Sequence, residues 1–329
     1  MTVLAGVELN AFAAQNFAAA VANDELVTIE GGTFPMGSET GEPDEKPVHE
    51  VTISTFQMRR DDETNGQYGN FVDSLGDRRV ALIGAHPDTG VERVLALGGS
   101  EKEVRAAVDK IPVSQLFPGA GDIVTIGGMR TFADSLKSVE IPDHRPSCGF
   151  DRPRQPVVEV SWYEAFVYAS LHGGALPTEE QFEYAARVMQ ASNGNGHEPY
   201  RTASTRVIDA RELREYATLS GRPTKDQVHY GAKTTADVGT YPRLANGLGD
   251  MCGNVWKWMQ NWYVPYSKDA VIDPTGPTSG KCKSLRGGSW FNDDPQYLRA
   301  AHRGYDDPDD RHDSFGFRWV AAQDSGKPL

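Results

Sequence analysis

Hydrophobic residues recur at strand spacing early in the chain. LVTIEGGTFPMGS, starting at Leu26, reads as a strand, a Gly turn and a second strand. HEVTISTFQM alternates through Val51, Ile53 and Phe56, so one face is expected to be buried. The rhythm then changes to helix. Three Ser/Thr-x-x-Glu/Gln boxes predict helix starts at Thr64–Gln67, Ser161–Glu164 and Thr178–Gln181. In each, the Ser or Thr oxygen accepts an orphan N–H and the Glu or Gln reaches back to the cap. The latter two helices are expected to run from Trp162 to about His172 and from Glu179 to about Met189. Trp162, Phe166, Phe182 and Tyr184 on them are assigned to core packing. After residue 240 the text is aromatic and turn-rich, with Trp256, Trp258, Trp262 and Tyr263 patterned as a buried strand. SLRGGSW and FGFRWVA read as two further strands, joined by a long irregular connection. A connection of that kind inside a compact domain is usually functional.

This pattern predicts one domain over 25–322, preceded by an Ala-rich arm or helix over 1–24 and followed by a tail over 323–329. Residues 76–152 and 190–235 mix Gly, Pro and charge with short apolar pieces such as VTIGG. They read as irregular insertions on that scaffold. With 39% apolar residues, 34 Gly and 20 Pro, the composition suits a loop-rich globular protein. A net charge of −13 argues against a nucleic-acid partner, because phosphate contacts need clustered Lys and Arg. No apolar run reaches membrane-spanning length, so no membrane insertion is expected. The start lacks the charged n-region of a secretory signal, which favours a cytoplasmic protein or one carried to a surface or virion by another route. Cys148, Cys252 and Cys282 have no CxxC spacing and are expected to be isolated thiols.

LPTEEQFEYAAR, GLGDMCGNVWKWMQNWY, RGGSW and FGFR occur in this order, after FPMGS, KPVHEVTISTF, ETNGQY and PVVEVSWYEAFVYA. Together they resemble the formylglycine-generating-enzyme, or sulfatase-modifying factor, domain over about 26–75 and 154–321. The resemblance implies an α+β, C-type-lectin-like fold: small mixed and antiparallel sheets, two main helices and much irregular structure. It does not fix function, since that fold carries copper-dependent enzymes, sulfoxide synthases and non-enzymatic variable proteins of diversity-generating retroelements.

The enzymes of this type carry two cysteines after GGS, five residues apart, whose thiolates bind the metal and perform the redox chemistry. Asn292 and Tyr297 stand at those positions. The sulfoxide synthases add three closely spaced histidines on a helical domain. The histidines here are scattered, and His302 and His312 read as exposed loop residues. No GxSxG, P-loop or HExxH motif occurs. The expectation is therefore no catalytic residue, no enzyme activity and no cofactor. The resemblance also implies a structural calcium near Asp250, Gly253, Val255 and Lys257. Lys257 replaces the Glu-type ligand, and its ammonium would repel a cation or stand in for it. No metal ligand is assigned.

What remains is recognition. Trp290, Pro295, Leu298, Arg299, Arg303, Pro308, Arg311 and the FGFR residues read as framework. Most side chains between them are Phe, Tyr, Asp, His, Ser, Gly and Asn. In the retroelement proteins, template adenines mutate asparagine codons to NNY, which encodes these types but never Lys, Glu, Gln, Met or Trp. Phe291, Asn292, Asp293, Tyr297, His302, Gly304, Tyr305, Asp306, Asp307, Asp309, His312, Asp313 and Ser314 are the candidate ligand-binding residues. Aromatic rings give contact area at small entropy cost, and short polar side chains adapt their hydrogen bonds. The seven aspartates between 293 and 313 favour a basic patch on a protein or glycan partner. The alternatives are a divergent metal- or thiol-dependent oxidoreductase of the same fold and an adaptor with a fixed partner.

Overall fold

The computed structural model describes Glu8–Leu9 and, apart from residues 78, 99, 145, 242, 245 and 278, residues 25–85, 92–108, 136–187 and 231–321. The N-terminal half holds β1 (Glu8–Leu9), β2 (Leu26–Ile29), β3 (Gly32–Met36), β4 (His49–Ile53), β5 (Phe56–Arg59), α1 (Asn65–Leu75), β6 (Val80–Ala85), β7 (Glu92–Leu97), α2 (Glu101–Val108) and β8 (Leu136–Glu140). Then follow α3 (Trp162–Leu171), β9 (Gly174–Ala175), α4 (Glu179–Arg187), β10 (Trp256–Trp262), β11 (Val271–Ile272), β12 (Lys283–Arg286), β13 (Arg303–Asp306), β14 (Phe315–Gly316) and β15 (Val320–Ala321). They form four small sheets, ordered β1-β7-β6-β8, β13-β12-β10-β14, β11-β4-β3 and β2-β5-β15-β9. This is the α+β architecture of small mixed sheets that the motifs imply. No helix among the described residues is long and apolar enough to cross a membrane.

Local chemistry explains the framework. All three capping boxes form: Thr64 with Gln67, Ser161 with Glu164, and Thr178 with Gln181, each with the two reciprocal bonds. Phe34 and Met36 of β3 and Val51 and Ile53 of β4 point inward at alternate positions. They pack with Phe182 of α4 and Met259 of β10 in one cluster. Tyr68, Phe71, Trp162, Tyr168, Trp258 and Phe317 form a second cluster between α1, α3 and the C-terminal strands.

The first insertion differs from its expected irregularity. β6 pairs antiparallel with both β7 and β8, and Ala81, Ile83, Val94, Leu97 and Val139 join the cluster around Trp162. Its strands are separated by up to 50 residues of chain, so no short-range turn signal announces the sheet. The VTIGG piece and most of 190–235 lie outside the described residues. Of the expected N-terminal arm only Glu8–Leu9 is described, as a strand paired with β7.

Helix α4 buries acids as well as apolar residues. Glu179, Glu180, Glu183 and Arg187 are buried beside Phe182, Ala185 and Ala186. Glu179 accepts from Arg303, whereas Glu180 accepts from neutral groups, among them Asn261, whose Nδ2 donates to Oε2 at 3.1 Å. Burial and neighbouring Glu179 push the Glu180 carboxyl up to about 7. The folded protein thus keeps a proton on Glu180 that the unfolded chain releases near 4.5. Stability contributed by this group falls as pH rises from about 4.5 to about 7, and the cost is full above that window. Urea melts of Glu180→Gln are expected to show a gain on the order of 1–3 kcal/mol at pH 8 that vanishes near pH 4.5. A difference independent of pH would contradict this assignment.

Candidate functional site

The Arg286–Arg318 segment begins with two glycines that admit no side chain. Gly287 (φ 96°) and Gly288 (φ 70°) lie in the left-handed region, and an added Cβ would come within 2.6 Å of the Met251 carbonyl or 2.7 Å of the Tyr297 carbonyl. Trp290 then ties the start of the segment to its end. Its N–H donates to Asn254 O at 2.9 Å and its Nε1–H donates to Asp313 O at 3.0 Å. At the far end Phe317 and Arg318 are fully buried, and Arg318 Nη2 donates to Asp62 Oδ1 at 2.6 Å and to Gly249 O at 2.6 Å.

Between the brackets, buried guanidinium groups do what a regular sheet would otherwise do. Arg286 donates to the carbonyls of Ala300 (3.1 Å) and His302 (2.7 Å) and pairs with Glu183. Arg303 makes two bonds of 2.8 Å to Glu179 and donates to the Val264 and Asp44 carbonyls. Arg299 pairs with Glu45. These bonds satisfy backbone carbonyls of the connection, at Ala300 and His302, and of the neighbouring chain at Asp44 and Val264.

The candidate recognition residues separate into groups. Phe291 is 69% exposed beside Trp290, and Tyr305 is 56% exposed, its ring 4.3 Å from that of Tyr263. Asp293, Asp307, Asp309 and His312 are exposed. Asp309 accepts from Lys137 at 2.7 Å, and Asp307 Oδ1 accepts the Asp309 N–H at 3.0 Å. Tyr297, Gly304 and Asp306 are half-buried, as are Asp313 and Ser314. Asn292 is committed internally: its Oδ1 accepts the Ser289 N–H at 2.8 Å, closing the turn after the glycines. His302 is buried at 7% exposure, with Nδ1 3.7 Å from Glu45, rather than lying on an exposed loop. The short chain path from Arg299 to Arg303, both anchored inward, carries His302 in with them.

Sequence reasoning missed Trp256. It is half-buried, and its ring faces His302 with centroids 5.7 Å apart. Gly304 lies so close that an added Cβ would come within 3.1 Å of this ring. Trp256 therefore forms an aromatic floor between His302 and Gly304. Its strand alternation with Trp258 reads as core, and only the glycine opposite it reveals the exposure.

Nearby, Lys257 is fully buried. Its ammonium donates to Gly253 O at 2.8 Å and to Asp250 O, and lies 3.6 Å from Asp62 Oδ2. Burial pushes the lysine pKa down, and Asp62 opposes this. Burial and Asp62 push the Asp250 carboxyl up to about 6. A bound calcium does not fit here, because the ammonium already occupies these carbonyls. Among the described residues no group of His, Cys, Asp and Glu could hold a metal ion. Cys148, Cys252 and Cys282 form no disulfide with one another.

The chain belongs to the formylglycine-generating-enzyme family. The model of the sulfatase-modifying factor enzyme 1-like domain matches residues 12–323. The formylglycine-generating enzyme of Mycobacterium tuberculosis is 31% identical over 324 residues, covering 92% of this chain and 99% of that protein. The Streptomyces coelicolor enzyme of the same name is 30% identical, covering 89% and 87%. Among solved structures, Treponema denticola variable protein 1 superposes with a TM-score of 0.52 at 18% identity, covering 90% of this chain and 94% of its own. PvdO from Pseudomonas aeruginosa gives 0.51 at 21%, covering 90% and 93%. These two establish the shared fold alone.

The relatives correct the expectation that this chain is not an enzyme. Proteins named formylglycine-generating enzyme match nearly its whole length at about 30% identity. The lack of a thiol at Asn292 and Tyr297 bears on one chemical route and does not exclude catalysis by the fold.

Lys257→Gln would take the ammonium from the Asp250 and Gly253 carbonyls and from Asp62, which keeps Arg318. It is expected to cost about 1–3 kcal/mol in urea unfolding. Millimolar calcium is expected to raise the Tm of that variant and leave the native protein unchanged. Full stability of the variant without calcium would rule out the role given to Lys257.

Proposed function

We propose that this family member recognises a polypeptide on the face carrying Phe291, Asp293, Tyr297, Gly304, Tyr305 and Asp306–Asp309, beside the Trp256 floor. The observation that carries this reading is the exposure of Phe291 (69%) and Tyr305 (56%), two of the three large hydrophobic residues exposed among the described residues. Exposed aromatic rings on a rigid support are the usual anchors of an interface. The aspartates around them favour a basic partner, and their attraction acts through water, so salt weakens it. His302 supports the face from below. Asn292 supports it through its turn, and Ser314 through the carbonyl that accepts the Trp256 N–H at 2.8 Å. His312 and Asp313 border it.

Recognition and catalysis are not alternatives here, because an enzyme must also hold its substrate. The relatives named formylglycine-generating enzyme favour a second reading, an oxidoreductase using the same face. Cys282 is half-buried near it, but burial, Asp306 and Asp307 push its thiol up, which disfavours the reactive thiolate. Oxygen consumption with cysteine peptides, lost in Cys282→Ser, would support that second reading; unchanged consumption would remove it.

The direct test is binding. Short basic peptides are expected to bind the immobilised protein, more weakly at high salt, and acidic peptides are not. Phe291→Ala with Tyr305→Ala is expected to weaken the complex about tenfold or more. Equal binding of acidic peptides, preference for a neutral glycan, or an unaffected double variant would overturn the reading. Diversification has its own test. A near-identical repeat of the segment encoding 286–320, differing at adenines and lying beside a reverse-transcriptase gene, is expected. Its absence would leave a recognition face of fixed sequence.

A further inference from the structure

A second concavity is lined in part by Arg311–Asp313, of which His312 and Asp313 also border the recognition face. It is a cavity of about 470 Å³ between α1, the 142–146 loop, the residues leading into α3, and Arg311–Asp313. Neither Phe291 nor Tyr305 lines it.

Four of its polar groups have chemistry that the fold does not use up. Tyr68 is 2% exposed, and its hydroxyl has no hydrogen-bond partner. Burial and Glu164 push its pKa well up, with Arg311 opposing, so it stays a protonated donor facing the Glu164–Arg311 wall. A buried O–H without a partner is uncommon in native proteins and asks for one. His144 offers the complementary group. Asn65 Nδ2 donates to Phe150 O (2.6 Å) and Arg152 O (3.0 Å), which leaves Asn65 Oδ1 to accept from His144 Nε2 at 2.9 Å. Burial lowers the His144 pKa, so the neutral ring keeps its lone pair on Nδ1.

Charge is the third element. Asp143, Glu159, Glu164 and Asp313 line the cavity against one guanidinium, Arg311. Glu164 is bound to Arg311 at 2.9 Å, and Asp143 is paired with Arg79. Glu159 and Asp313 remain as the negative groups. Glu159 is held at φ 58°, a left-handed conformation that a non-glycine residue adopts at a cost. Its N–H donates to His312 O at 2.9 Å, and its carboxylate accepts from Ser147 Oγ at 2.5 Å. The rings of Tyr68 and His144 stand edge to face, 5.1 Å apart.

We propose that this cavity binds a small amino alcohol, its ammonium held by Glu159 and Asp313 and its hydroxyl accepting from Tyr68 and donating to His144. The volume lies within the range of small-molecule sites. The proposal does not rest on the recognition face, with which the cavity shares only His312 and Asp313.

Calorimetric titration of the full chain tests it, with ethanolamine and choline as probes and 3,3-dimethylbutan-1-ol as the neutral isostere of choline. At least one of the two cations is expected to bind saturably, on the order of a millimolar or tighter, and the isostere about tenfold more weakly. Glu159→Gln and Asp313→Asn are each expected to weaken binding about tenfold, so either one that folds gives the answer. Tyr68→Phe is expected to weaken binding without lowering Tm, since its hydroxyl has no internal partner. Phe291→Ala should leave this binding unchanged. No saturable heat with either cation, equal binding of the isostere, or indifference to these cavity substitutions would overturn the proposal.

Discussion

The fold depends on buried guanidinium–carboxylate pairing between α4 and the C-terminal segment. Glu183 sits between Arg286 and Arg187, and Glu179 between Arg303 and Arg286, all at most 6% exposed. Removing one partner from such a pair typically costs about 3–5 kcal/mol, because a charge is left buried alone. An apolar set could match the stability, but it could not satisfy the carbonyls of Ala300, His302 and Val264, which these arginines also bind. A long irregular connection can stay ordered only if its backbone groups find partners. Here side chains supply them.

That arrangement frees the surface. The segment is pinned from beneath by Arg286, Arg299, Arg303 and Arg318 and closed by the Trp290 bond to Asp313. Phe291, Asp293 and Tyr305 carry no comparable duty and can vary in chemistry without disturbing what lies under them. Gly304 is a partial exception, since Trp256 lies against it. Asn292 and His302 are stronger exceptions. One closes a turn and the other is buried near Glu45, so both belong to the support of the face more than to its contact area.

Much of this was legible in the chain. The capping boxes carry their own geometry, and all three formed. GGSW and FGFR marked framework because glycine and arginine have few other reasons to recur in such a context. What could not be read were features set by distant partners. The β6–β7–β8 sheet depends on pairings across long stretches of chain. The inward turn of His302 depends on Arg299 and Arg303 finding Glu45 and Glu179, and the exposure of Trp256 depends on Gly304. Lys257 was legible as a substitution for a ligand, but its carbonyl cage needed the turn at Asp250 and Gly253. The cavity around Tyr68 and His144 joins four separate stretches and leaves no motif. Asn292 and Tyr297 were legible as residues without thiols, yet that said less about activity than it first suggested.

The central claim is that framework and recognising residues are separable. The direct measurement compares thermal unfolding of the native chain, of Arg303→Met, and of a variant with Phe291, Asp293, Tyr305 and Asp307 all changed to Ser. The account expects the fourfold variant to melt within about 5 °C of the native protein, and Arg303→Met to fall well below both. A fourfold variant that loses as much as Arg303→Met would contradict it, because the exposed residues would then be holding the fold.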